Sequence, residues 1–272
     1  MNKQRFLIRG LNDAFFIYEI VIEGGESRMM ALFKNKAPEK IGPIRSARHY
    51  FSYYAMEHNA IFTHYGWSPK AKSTITQYKV ENINGITSDT SAFWRIGSGY
   101  HNVFTSIKKL KDLSLSKKYL VESSKKPIYN YSTEEIELDS ENLSKTVKLK
   151  YSNLHNISYE YDEVKKIYYR YYRNKKDYDR ETKEQYYAKN IIIIEANNYP
   201  LQDSENKGRQ EVEIVGEGTG YFLTNGKYIE ISWKKNTIDA KTSIYDKNKK
   251  EITLNDGITY FHVVPKDNVT LL

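Results

Sequence analysis

The run Lys40-Ile41-Gly42-Pro43-Ile44-Arg45-Ser46-Ala47-Arg48-His49-Tyr50 gathers more chemistry-bearing side chains than any other stretch of the chain. A Gly-Pro turn leads into two arginines three residues apart, with a serine between them and an imidazole after, and the amphipathic run Tyr50 to Glu57 follows. The pattern predicts a helix starting near Ser46. The free N–H groups of its first turn, its dipole and the guanidinium forks of Arg45 and Arg48 would then converge on one anion. An arginine beside a helix start is more often solvated or weakly paired at the surface. Two of them beside a turn and a capping serine weight the balance toward a site.

Four of the six histidines lie in the first half of the chain, and two have unusual settings. His64 ends an apolar run and leads into Tyr65-Gly66-Trp67-Ser68-Pro69, which places it at the edge of a sheet, beside a helix start. His101-Asn102 follows Trp94-Arg95 and the turn Gly97-Ser98-Gly99 and could face the same cleft. Each can equally be a structural histidine bonding a loop backbone. Glu19, Glu23, Glu26 and Asp89 could include an acid or base, but sequence alone pairs no two of them. Ser46 and Ser68 lack a Gly-x-Ser-x-Gly context and read as helix caps. No HExxH, phosphate-loop or dinucleotide glycine motif is present, so neither a bound metal nor another cofactor is expected.

The elements that must hold these residues change character along the chain. Ala14 to Ile22 and Arg28 to Phe33 are apolar, strand-like runs joined by Glu23-Gly24-Gly25-Glu26, which predicts a hairpin. A helix of about 12 residues after Gly42-Pro43, a short strand at Ala60 to His64, a helix capped by Ser68-Pro69, and another from Thr105 or Ser106 to about Leu115 follow. Residues 126–145 are polar, with Pro127 and a run of Ser, Asp and Glu, and read as a linker. Beyond it nearly every segment is strand-like, and Asn225-Gly226 marks a two-residue hairpin turn. The fold class expected is α+β: a mixed α/β domain at residues 1–125 carrying the Arg/His cleft, then an antiparallel all-β domain at 146–272. Gly216 to Gly220 reads as a turn or bulge.

At 272 residues the chain can build two cores without staples, and with no Cys it has no disulfide, thiol nucleophile or thiolate metal site. The net charge of +8 favours a polyanionic partner, although the lysines are scattered. No run reaches the roughly 20 apolar residues of a membrane span, so the chain as given reads as soluble and without a leader.

Several blocks together resemble the YerB-like lipoprotein family of bacteria. They include Glu39 to Arg48 with its Ile-Gly-Pro-Ile-Arg-Ser-Ala-Arg core, His64 to Pro69, Phe93-Trp94-Arg95, His101-Asn102, Asn225-Gly226-Lys227 and Val263-Val264-Pro265. The resemblance implies two domains and an extracytoplasmic, usually lipid-anchored protein of undetermined activity. Membrane contact would come only through a leader or anchor that this chain lacks. Trp67 stands where the family pattern has glycine, and Tyr100 where it has proline. A likeness in pattern alone links the Arg-bearing loop to LytR-CpsA-Psr phosphotransferases. Two functional classes follow. One is an envelope protein that binds an anionic cell-wall polymer or lipid-linked phosphate through Arg28, Arg45, Ser46, Arg48, Arg95 and Asn102, with nucleic acid disfavoured as partner. The other is a phosphotransferase or phosphodiester hydrolase in the same cleft, with His64 or His101 as acid or base. Binding is the preferred expectation, because no nucleophile and base pair up in the sequence.

Overall fold

The computed structural model describes residues 8–87, 89–99, 102–121 and 127–272. Among the described residues strands hold 41% and helices 14%, so sheet packing positions most side chains. The chain forms two units. Unit 1 comprises 1–14, 33–128 and 178–184, and unit 2 comprises 15–32, 129–177 and 185–272.

Unit 1 carries the helices α1 (His49–Glu57), α2 (Pro69–Gln77) and α3 (Ile107–Ser116). The caps follow the sequence signals: the Ser68 hydroxyl accepts from the Ala71 N–H, with Pro69 in the first turn, and Ser106 accepts from Lys109 N–H. The start of α1 is a correction. It begins at His49, not near Ser46, because Arg48 is extended (φ −116°, ψ 146°) and the preceding residues pair with another segment. Tyr65 N–H donates to Arg45 O, Ala47 N–H to Gly66 O and Ser68 N–H to Ala47 O, so residues 45–47 lie as a strand-like ribbon beside 65–68. In place of one mixed sheet, the described residues of unit 1 contain short strand pairs: Phe62–His64 parallel to Asn82–Asn84, and Trp94–Arg95 antiparallel to Val103–Phe104. Gly42 is required where it stands. Its φ is +144°, and a Cβ there would lie 2.8 Å from the Phe104 ring and 2.9 Å from Val103 O. Residues 178–184 return to this unit: Asp179 accepts from Gly10 N–H at 2.6 Å, and Glu181 binds Arg9 at 2.9 Å and Lys40 at 2.8 Å.

Unit 2 also takes in residues 15–32 from the first half of the chain. The hairpin β1 (Phe16–Val21) and β2 (Ser27–Leu32) forms as the sequence predicts, with Phe16 opposite Leu32 and Val21 opposite Ser27. Yet β1 also pairs in parallel with Thr259–Val264, which in turn pairs in parallel with Asn190–Glu195. A seven-stranded sheet therefore runs in the order 243–245, 227–235, 216–224, 190–195, 259–264, β1, β2. Its centre is parallel, not antiparallel as expected. The reason is burial on both faces: Phe16–Val21, Thr259–Val264 and, save Glu195, Asn190–Glu195 are buried throughout, the pattern of central parallel strands. Gly216 to Gly220 is strand rather than turn, and a Cβ at Gly218 would meet the Trp233 indole at 2.7 Å. A second sheet runs 175–176, 167–172, 155–162, 146–152, 269–271. Its Tyr159 lies 5.8 Å from the Tyr260 ring and 5.5 Å from His262, so it covers the face of the large sheet on which Ile17, Glu19, Tyr260 and His262 lie in register.

The described part of the expected linker is also packed. Tyr129 is buried and stacks on Phe16 at 5.4 Å, Asn130–Ser132 pairs with Thr253–Asn255, and Ile136 N–H donates to Asn255 Oδ1. These residues belong to unit 2 because their apolar and backbone groups have partners there, despite a composition that reads as a tether.

Expressed alone, residues 129–272 should not fold as a stable monomer. Without β1 and β2 the wholly buried strand 259–264 becomes an open edge and half its ladder is lost. A cooperative thermal transition with a dispersed amide spectrum from that fragment would contradict this sheet order.

Candidate functional site

The basic loop of unit 1 separates its two arginines. Arg48 is buried at 6% exposure and turns its guanidinium onto main-chain carbonyls, with Nη1 donating to Ala47 O at 2.9 Å. It therefore acts as a brace for the extended segment before α1. Arg45 is half-buried, and desolvation pushes its pKa down to about 10, so it stays charged at neutral pH at an energetic cost. Ser46 donates to Tyr65 O at 3.1 Å, which ties it to the ribbon, not to a helix cap. Across the ribbon, exposed Arg95 lies 5.5 Å from the Tyr65 ring, with Nη2 donating to Tyr65 Oη at 3.4 Å. Asn102 orients that guanidinium: its Oδ1 accepts from Arg95 Nη1 at 2.8 Å, while its Nδ2 donates to Gly97 O. Arg45, Ser46, Tyr65, Arg95 and Asn102 are thus joined through Tyr65.

The remaining expected site residues lie elsewhere. His64 is buried, with Nδ1 donating to Gly66 O at 2.8 Å and Nε2 facing Asn82 Oδ1 at 3.2 Å. Burial lowers its pKa, against smaller opposing effects of those bonds, and it is structural. Asp89 is also structural, accepting from Asn84 N–H at 3.0 Å and Lys117 Nζ at 2.9 Å. His101 lies outside the described residues. Arg28 sits on β2 in unit 2, 3.7 Å from Glu23. Among the described residues no group of three or more His, Cys, Asp or Glu is disposed to hold a metal ion.

Sequence reasoning missed a second polar centre, between the sheets of unit 2. Arg170, from strand 167–172, is fully buried and donates to Glu19 Oε2 at 2.7 Å and to Asp177. Desolvation opposes its charge, but Glu19 and Asp177 outweigh it and hold the arginine pKa above its ordinary value. Ser27 donates to the other oxygen of Glu19 and lies 2.7 Å from His155 Nε2, whose Nδ1 is 2.7 Å from Glu26 Oε2. Beside them Tyr151 donates to Glu19 O at 2.9 Å, so its oxygen accepts from His262 Nδ1 at 2.9 Å, and His262 Nε2 is left to accept from Tyr159. Burial raises the Tyr159 pKa well above the ordinary tyrosine value, which keeps that hydroxyl a donor. The signal in sequence was a lone charge inside an apolar strand: Glu19 in Phe16–Val21 and Arg170 in Ile167–Tyr172. A groove of about 390 Å³ beside strand 216–224 is lined by Glu195, Glu213, Glu217 and Asp267 against Lys266, and does not suit an anion.

Two family models match the chain, one in each half. Residues 7–120 match "Protein of unknown function (DUF3048) N-terminal domain" and residues 147–261 match its C-terminal domain, and the chain belongs to that family. Within it, the chain is 30% identical over 259 residues, covering 94% of this chain and 76% of the relative, to "Putative lipoprotein YerB" of Bacillus subtilis (strain 168). It also superposes on a solved structure, "Crystal structure of YerB protein from Bacillus subtilis", with a TM-score of 0.87 at 29% identity, over 99% of this chain and 90% of that one.

Replacing Arg170 with Met should cost about 3–5 kcal/mol in denaturant unfolding, because Glu19 and Asp177 would keep their burial and lose the guanidinium. A loss below about 1 kcal/mol would show that the carboxylates do not depend on it. His64 sets a pH dependence of opposite sign to an ion-paired histidine. Its folded pKa lies below its unfolded value of 6.5, so the unfolded chain binds more protons and stability falls as pH drops below about 6.5. In thermal melts, His64→Gln should flatten that part of the profile.

Proposed function

We propose that this protein is an extracytoplasmic binding protein that holds the phosphate or carboxylate of a cell-wall polymer or a lipid-linked phosphate on the Arg45–Tyr65–Arg95 face of unit 1. The observation that carries the reading is the exposed Arg95 guanidinium over the Tyr65 ring, fixed by Asn102, with the ribbon bearing Arg45 and Ser46 bonded to the same tyrosine. A planar fork held in place loses little freedom when it takes an oxyanion bidentately. Arg45 adds a charge whose desolvation an arriving anion relieves. The extracytoplasmic placement rests on the lipoprotein designation of the Bacillus subtilis relative. No helix among the described residues is long and apolar enough to cross a membrane. A phosphotransfer or phosphodiester reaction in the same place finds no support at His64, both of whose ring nitrogens are engaged by the protein.

Calorimetric titration of the full chain with teichoic acid, peptidoglycan fragments and single-stranded nucleic acid tests the reading. Affinity for the phosphate polymer should drop as salt shortens the Debye length from about 10 Å at 0.1 M to about 3 Å at 1 M. Arg45→Ala and Arg95→Ala should each weaken binding about tenfold or more. Arg48→Ala should leave affinity unchanged and lower stability by about 1–3 kcal/mol, because it removes a buried donor to carbonyls. Unchanged affinity in the Arg45/Arg95 double variant, or preference for nucleic acid, would refute the site.

A further inference from the structure

We infer that the groove beside strand 216–224 binds an extended peptide bearing lysine or arginine, which adds along an open edge of that strand. All of the groove's residues belong to unit 2, so the site stands or falls apart from the anion site of unit 1. Glu195, Glu213, Glu217 and Asp267 line it against the one ammonium of Lys266. That excess of negative charge lies in a chain whose net charge is +8, so it marks a local preference for a cation. Glu195 Oε1 accepts from Asp267 N–H at 2.9 Å and Glu213 Oε2 from Asn197 Nδ2 at 2.8 Å, and these neutral donors orient the carboxylates without cancelling their charge. Lys234 stands 3.9 Å from Glu217, whose side chain is 77% exposed.

The open edge follows from the register. Strand 216–224 pairs along its whole length with 227–235, and Thr224 and Lys227 close the two-residue Asn225-Gly226 turn. The pair that closes such a turn exchanges main-chain hydrogen bonds and alternate pairs do so from there on, so residues 224, 222, 220, 218 and 216 bond toward 227–235. Thr219 and Glu217 turn their N–H and C=O groups the other way. On that side the pairing with 190–195 ends at Gly220, opposite Ile194, and Ala196 N–H donates instead to Val264 O. Among the described residues no strand lies beside 217 and 219 on that side, and both are exposed. Two donors and two acceptors in ladder geometry are what strand addition uses.

A further donor stands on the wall of the groove. Trp233 pairs with Gly218 across the strands and is 3% exposed, yet its Nε1–H meets no acceptor among the described residues. The indole lies against Gly218, and Nε1 is the atom nearest to where a side chain at 218 would start, at 2.7 Å. A buried indole N–H normally has a partner, and leaving it without one costs free energy. An acidic groove with hydrogen-bond donors on its walls does not match a bare cation, and among the described residues no group of three or more His, Cys, Asp or Glu is disposed to hold a metal ion. A basic peptide matches both features: its carbonyls meet the N–H groups, its amides the C=O groups, and its side chains the carboxylates. The volume of about 390 Å³ lies at the small end of the roughly 300–1,000 Å³ range of ligand sites, enough for a few residues of the peptide.

The test is an NMR titration of the full chain at low salt with a capped hexapeptide of alternating lysine and threonine. The Trp233 indole resonance, one of three in the chain and assigned by its cross-peak to Gly218, should move downfield as Nε1–H gains an acceptor. The amides of Glu217 and Thr219 should shift with it, and their hydrogen exchange should slow about tenfold or more. A peptide of the same charge, methylated at alternate main-chain nitrogens, should bind at least about tenfold more weakly, because it cannot complete the ladder. The Glu217→Gln, Asp267→Asn double variant, altered only at exposed side chains, should stay folded and bind at least about threefold more weakly. Unmoved resonances at Trp233, Glu217 and Thr219, or equal binding of the methylated peptide, overturn the proposal. Shifts that follow protein concentration without peptide make a second copy the occupant and overturn it as well.

Discussion

The guanidinium of Arg170 is the constraint around which unit 2 is arranged. A fully buried cation is tolerable only where carboxylates meet it in good geometry, and here one comes from β1 (Glu19) and one from the segment after strand 167–172 (Asp177). Since successive residues of a strand face opposite sides, a slip of one residue in β1 would send Glu19 to the far face and bury Arg170 against apolar neighbours. The same residue reaches Ser27 by its second carboxylate oxygen and Tyr151 by its carbonyl. Register of the large sheet, docking of the second sheet and placement of the Ser27–His155 pair are therefore coupled through one carboxylate.

Local features of this fold were legible in the sequence and long-range ones were not. The strands at 167–172, 190–195 and 259–264, the β1–β2 hairpin and the Ser68 and Ser106 caps follow from periodicity and turn chemistry within a few residues of each position. The partner of β1 could not be read, because its unbroken apolar run predicts burial on both faces without saying which strand provides it. Residues 127–145 misled for a related reason. A polar composition hides the few groups that matter, such as the buried Tyr129 and the Ile136 N–H bonded to Asn255.

At the candidate sites, residue types were easier to foresee than their roles. Arg45 and Arg48 look equivalent in the sequence, yet a backbone that stays extended through Arg48 turns the Arg48 guanidinium onto carbonyls, while Arg45 is tied to Tyr65 through its own main-chain carbonyl. Asn102 proved to be the orienter of Arg95. Glu19 and Glu26 stood out as acids, but their basic partners, His155 and Arg170, lie more than a hundred residues away. No spacing rule reaches that far.

The family boundaries at 7–120 and 147–261 describe inheritance better than mechanics, since β1 and β2 fall in the first segment and complete the sheet of the second. Pairing Ile17 with Tyr260 joins positions about 240 residues apart. Closing so long a loop is slow, and it cannot begin before strand 259–264 has been synthesised. Until then β1 is an apolar strand without its permanent neighbour, the kind of segment that chaperones shield and that pairs wrongly with other copies when they do not. The topology thus makes strand 259–264, rather than the first domain to emerge, the timing element of this protein's biogenesis.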